Sequence, residues 1–149
     1  MKRALIFVFI WLMITACEDQ GTSVPTITSI NHSPPVTYFP QTINTPPAYL
    51  EARVTGELIL ENGCLRVKDF DGKSVLLIWR PGFSTKTVEG NVQIIDSKNQ
   101  VTASVGDFVE VGGGFDAHPE LYGLTEPIPE NCLGSFWLVG ESIKKIDKP

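Results

Sequence analysis

The sequence predicts an all-β protein built around one small barrel, and three observations carry that prediction. No segment after the N-terminal apolar run sustains an apolar repeat of helical period. Short apolar runs are instead separated by turn-forming pairs, Asn62-Gly63 and Asp71-Gly72 above all, of the kind that join antiparallel strands. Roughly five to eight such runs fall within about 100 residues, too few to hide both faces of a flat sheet, so the sheet must curl on itself.

The domain begins near Ala48 and runs to Pro149, and its first strand is Arg53 to Leu60. Counting outward from Asn62-Gly63 as a two-residue loop pairs Leu60 with Leu65 and Leu58 with Val67 on one face. The same count sets Glu57 beside Lys68 and Ile59 beside Arg66 on the other. Asp71-Gly72, read as a second two-residue loop, leads into Ser74 to Trp79 and pairs Val67 with Leu76 and Leu65 with Ile78. That register places Leu76 and Ile78 in the core and Cys64 beside Trp79 on the opposite face. A second group follows: Asn91 to Asp96 and Val101 to Ser104 flank the polar turn Ser97 to Gln100, and Val105-Gly106-Asp107 leads into Phe108 to Val111. Ser135 to Val139 and Ser142 to Ile146 close the chain. The meander start and the Gly106-Asp107 turn before a strand resemble the OB-fold group, which implies an OB-like barrel.

The N-terminus has another character. Lys2 and Arg3 precede an uncharged apolar run, Ala4 to Ile14, which has the build of a secretory signal. It is too short for a membrane-spanning helix, which needs about 20 apolar residues. The run ends in Ile14-Thr15-Ala16-Cys17, which resembles the lipobox of bacterial lipoproteins, with Ile14 where leucine is commonest. The resemblance implies that residues 1–16 are a cleaved signal peptide and that Cys17 becomes the lipidated first residue. It places the chain on the exported face of a cell membrane, periplasmic or extracellular, held by its lipid. Two or more acyl chains bind a bilayer firmly where one does so only marginally. No cofactor is expected beyond this covalent lipid. Removal of residues 1–16 takes away Lys2 and Arg3 and moves the net charge from −5 to −7. The remaining Lys and Arg are scattered without a basic stripe, which argues against nucleic acid as a partner.

Lipidation of Cys17 also leaves Cys64 and Cys132 as the remaining pair of three cysteines. In an exported chain these are expected to be joined, with a chain-entropy stabilisation of about 4 kcal/mol, against the Trp79 ring. Residues 17–47 read as a lipidated end and a disordered tether. Pro25, Pro34, Pro35, Pro40, Pro46 and Pro47 fall there, with many Ser and Thr and no Lys or Arg. Fully extended, such a tether reaches on the order of 90 Å. Val36, Tyr38 and Phe39 are its residues suited to docking on the domain. Asn31-His32-Ser33 has the spacing of a glycosylation acceptor but reads as a plain turn.

Three constellations have chemical content. Trp79-Arg80-Pro81-Gly82-Phe83 sets a cation between two aromatics, an arrangement suited to a sugar ring or a carboxylate, but burial is the commoner use of aromatics and the stretch reads first as a barrel corner with both rings in the core and Arg80 solvated. Gly112-Gly113-Gly114 lacks the Lys and Ser/Thr of a phosphate loop and reads as a sharp turn or bulge. Asp116, His118 and Glu120 combine carboxylates with an imidazole, a chemistry that suits calcium or zinc, at a spacing that matches no zinc motif. No nucleophile elbow or Ser-His-Asp pattern is visible, and His118 is the one imidazole in the domain. The stretches Gly63 to Leu65, Leu77 to Phe83, Gly106-Asp107, Gly112 to Gly114 and Cys132 to Val139 also resemble an uncharacterised domain of bacterial exported proteins, for which no activity is implied. The expectation is a binding or interaction module at the cell envelope, with a small ligand or an envelope protein as partner. The alternative is an envelope enzyme or metal-binding protein using the Asp116, His118 and Glu120 loop.

Overall fold

The computed structural model describes Pro35, Val36 and residues 38–44, 51–116 and 118–149. Cys17, the signal segment, Asn31 and His32 lie outside the described residues. Among the described residues eight strands form: β1 (Ala52–Glu61), β2 (Cys64–Lys68), β3 (Ser74–Ile78), β4 (Ser84–Val88), β5 (Asn91–Ile95), β6 (Val101–Ser104), β7 (Phe108–Asp116) and β8 (Ser135–Lys145). Two short 3-10 turns, Pro119–Tyr122 and Glu130–Cys132, are the helical elements among the described residues. The protein is all-β.

Five strands close in the order β1-β2-β3-β8-β7, every neighbour pair antiparallel except β3 with β8. The first hairpin follows the two-residue count: Leu58 faces Val67 and Leu60 faces Leu65 across Asn62 and Gly63, both at positive φ. The second hairpin departs from it. Lys68 faces Ser74, so residues 69–73 form the loop. Asp69 builds it, its Oδ1 accepting the Lys73 N–H at 2.8 Å while its own N–H donates to the Lys73 carbonyl at 2.9 Å. Val67 therefore faces Val75 rather than Leu76. A shift of one residue turns a whole strand over, so Val75, Leu77 and Trp79 join the barrel core and Leu76 and Ile78 face outward.

The inward cluster holds Leu58, Leu65, Val67, Val75, Leu77, Trp79, Val109, Val111, Trp137, Val139 and Ile143. The second sheet, in the order β4-β5-β6, adds Val92, Ile94 and Ala103 to that cluster. It is tied to the barrel where the Val105 N–H donates to the Val92 carbonyl and the Gly106 N–H to the Leu58 carbonyl. Strand β7 bulges between Val111 and Gly113, as the glycine run predicts. Gly113 has φ +152° and lies against the Leu138 carbonyl and Trp137 Nε1, where a Cβ has no room.

A second, outward cluster covers β2, β3 and β8: Tyr38, Cys64, Leu76, Ile78, Cys132 and Leu138. Cys64 and Cys132 are joined, with Cα atoms 5.9 Å apart. The disulfide packs in this cluster and not in the one that contains Trp79, because the register shift sends Trp79 to the other side of β3.

Within the stretch read as tether, residues 38–44 lie on the domain as an extended strap. Tyr38 bridges Cys64 and Gln41 bridges Trp79, both parallel, and Thr42 bridges Leu124 antiparallel. Tyr38, Pro40 and Thr42 are buried while Phe39, Gln41 and Ile43 are more exposed. That alternation is what an extended chain gives when one side lies against a surface.

Candidate functional site

The aromatic corner and the strap form one packed unit. Trp79 is fully buried, with Phe39 stacked on it at 5.0 Å between ring centroids and Phe83 tilted against it at 5.4 Å. The Trp79 N–H donates to the Pro40 carbonyl and the Thr42 N–H to the Trp79 carbonyl, both at 2.8 Å. Gln41 Nε2 donates to the Phe83 carbonyl at 2.6 Å. Arg80 stands outside this packing, its guanidinium 3.5 Å from the exposed Glu141 carboxylate. Trp79, Arg80 and Phe83 therefore do not present an aromatic face flanking a free cation. The rings are occupied by the chain itself.

Arg66, which the sequence places beside Ile59 on the face of the first hairpin opposite the core, is only 5% exposed. Its Nη2 donates to the carbonyls of Cys132 and Leu133 at 2.7 and 2.8 Å, and its Nε lies 3.4 Å from Glu61 Oε2. A buried charge is tolerable only when paired and hydrogen-bonded. Here it fixes the end of the β7–β8 connection beside the disulfide. Arg66 is a positioning residue that composition and alternation do not reveal.

The start of the β7–β8 connection carries exposed aromatic, acidic and imidazole side chains close together in sequence. Phe115, the penultimate residue of β7, is 68% exposed, with its ring edge-on to buried Trp137 at 4.9 Å and 86°. Leu121, on the first 3-10 turn, is 77% exposed. Asp116 Oδ1 accepts the His118 backbone N–H at 2.6 Å, an Asx turn that follows from Asp two residues ahead. His118 Nδ1 lies 3.1 Å from Glu120 Oε1. The Asp116 carboxylate accepts a hydrogen bond from the Tyr122 hydroxyl and so holds that phenol above its ordinary pKa. Asp116, His118 and Glu120 are thus neighbours, each with a local partner, and no three acidic, His or Cys side chains converge as a metal set among the described residues. Phe115 and Leu121 were not picked out by the sequence, which ends the strand at Val111 and leaves both in the loop that follows.

A shallow groove of about 430 Å³ lies on the same connection, lined by Tyr38, Glu126, Pro127, Pro129 and Asn131. The Tyr38 hydroxyl donates to the Glu126 carbonyl oxygen at 3.1 Å. Burial, and secondarily the Glu126 charge, push the Tyr38 phenol up to about 12. Asn131 Nδ2 is engaged with the Asn62 carbonyl at 2.9 Å.

Compared with protein-family models, curated proteins and solved structures, the chain finds a match in none of the three. Among the described residues no helix is long and apolar enough to cross a membrane.

Proposed function

We propose that this chain is a bacterial lipoprotein, held at the exported face of a membrane by a lipid on Cys17, whose barrel is a binding or interaction module. The contact surface is the β7–β8 connection, Phe115 to Leu121. One observation carries the choice of surface: Phe115 is an exposed aromatic seated edge-on against a buried tryptophan, backed by a strand that the glycine bulge holds in place. A large ring held rigid and exposed loses little entropy on contact, which is why aromatics dominate binding surfaces. Leu121 adds apolar area, and Asp116, His118 and Glu120 supply a polar rim that is acidic overall.

Two measurements test the reading. Radiolabelled palmitate is expected to enter the protein and to be lost in Cys17→Ser, which is expected to leave the membrane fraction; labelling unchanged in that variant refutes the anchor. A photo-reactive residue at position 115 is expected to crosslink a protein or ligand in intact cells. The same residue at Glu89, on the exposed turn between β4 and β5, is the control. Equal capture from both positions refutes the surface.

The exposed His118–Glu120 contact favours a second reading, an envelope enzyme in which Glu120 orients the His118 imidazole as a base. Loss of a defined activity in a folded His118→Ala variant is the result that reading predicts, and an unchanged activity excludes it.

A further inference from the structure

The β7–β8 connection is one-sided in charge. From Gly112 to Ile143 the sequence holds no Lys or Arg, while Asp116 closes β7 and Glu120, Glu126 and Glu130 follow before β8. The three glutamates are exposed and Asp116 is half-buried. None of the four pairs with a Lys or Arg among the described residues. Such pairs are made instead by Glu61, Glu110 and Glu141 on the strands and by Asp107 just before β7. Arg66, the cation packed beside the disulfide, is buried and committed to the carbonyls of residues 132 and 133 and to Glu61. Apolar surface lies among the same carboxylates. Phe115 and Leu121 flank Asp116 and Glu120, Leu133 is exposed beyond Glu130, and the shallow groove sets Pro127 and Pro129 beside Glu126. The backbone beneath is held in place, because the strap bonds to residues 122, 123 and 125 and the disulfide fixes Cys132. A surface formed before its partner arrives costs less to order on binding.

We propose that the partner of this surface is a cationic polypeptide segment, rich in Arg or Lys and carrying apolar side chains. The proposal rests on the reading of the β7–β8 connection as the contact surface and names the chemistry that fits it. Carboxylates without fixed cations attract a positive segment and repel an acidic one, so charge selects the partner. An Arg guanidinium suits both features of the surface, since its planar fork takes a carboxylate and its face stacks on an aromatic ring such as Phe115. Apolar side chains of the segment have Leu121, Leu133 and the groove prolines to cover. A groove this shallow suits an extended segment better than a small molecule, which needs a concave site that buries most of its surface.

The test uses the full chain in non-ionic detergent and two fluorescent peptides of equal length, one alternating Arg with Leu and the other alternating Glu with Leu. The Arg peptide is expected to bind, more weakly as salt is raised, and the Glu peptide is not. Glu126→Lys together with Glu130→Lys should weaken binding of the Arg peptide about tenfold. Asp71→Lys together with Glu89→Lys, at exposed carboxylates on the turns before β3 and between β4 and β5, is the control and should leave it nearly unchanged. No binding of the Arg peptide, equal binding of both peptides, or equal loss from the two pairs of substitutions overturns the proposal. The photo-reactive residue at position 115 separates this result from the surface reading. Capture in cells that is lost in the Glu126→Lys, Glu130→Lys variant supports a cationic partner; capture that persists there leaves the surface standing and overturns the partner's chemistry.

Discussion

The Trp79 corner and the Phe115 loop carry the same kinds of side chain, aromatics beside charges, and meet opposite fates. At the corner, the strap lays Phe39 on the indole and ties its backbone on both sides, so the rings become core. At the loop, Trp137 is buried but Phe115 stands over it in solvent, and no segment among the described residues lies across it. Residue type does not decide between core and contact surface. What decides is whether another backbone passes over it, and in this chain a seven-residue segment from a proline-rich stretch does so once.

The largest difference between the two regions is energetic. Trp79→Ala is expected to destabilise the protein by about 3–5 kcal/mol, the range for a large aromatic removed from a core. Phe115→Ala forfeits one edge-to-face pair and should cost under about 1 kcal/mol. Urea denaturation of both variants checks this, and similar midpoints for the two would erase the distinction.

The disulfide comes next. It fixes the far end of the exposed connection to the start of β2, its cysteines 68 positions apart in the sequence. Replacing Cys64 and Cys132 together with alanine should cost about 4 kcal/mol in the chain-entropy model. Hydrogen exchange should then quicken at residues 123–134 before the barrel strands; uniform quickening would mean that the connection is not a separately held region.

Tyr38→Phe probes the strap side more gently. Loss of the hydroxyl bond to Glu126 should cost about 1 kcal/mol at neutral pH. The folded phenol titrates at about 12 against an ordinary 10.0, so its contribution is complete below pH 10 and is lost as pH rises from 10 towards 12. Phenylalanine should flatten that alkaline loss of stability, and an unchanged pH profile would show that the strap does not bury this ring in solution. The smallest effect has the opposite sign. Thr42 Oγ1 is buried with no partner among the described residues, so Thr42→Val should raise the melting temperature slightly.

How much of this was legible in the sequence differs between the two hairpins. Asn62-Gly63 specifies a two-residue turn through its backbone, and the register of β1 with β2 follows residue by residue. Asp71-Gly72 has the same appearance, but the Asp69 side chain captures the Lys73 amide and lengthens the loop. That one hydrogen bond moves Trp79 from the outer face into the core, away from the disulfide. Strand β4, Ser84–Val88, is almost wholly polar and exposed, and owes its form to pairing with β5 rather than to an apolar pattern. The parallel closure of β3 with β8 joins segments far apart in sequence that no local turn announces. The buried Arg66 is equally hidden, since its partners are backbone carbonyls contributed by residues 132 and 133. At the candidate site the Asp116, His118 and Glu120 cluster was visible from spacing, whereas the exposure of Phe115 depends on how β7 leaves the barrel.

The strap's closure of the Trp79 corner is open to direct measurement. The chain has three tryptophans, Trp11, Trp79 and Trp137, and Trp11→Phe with Trp137→Phe leaves Trp79 alone. Acrylamide quenching of that variant should fall near the limit for a buried indole and rise sharply when Phe39→Ala and Thr42→Arg detach the strap. Quenching close to that of free tryptophan before the strap is touched would contradict the account, and would make the corner an open aromatic surface.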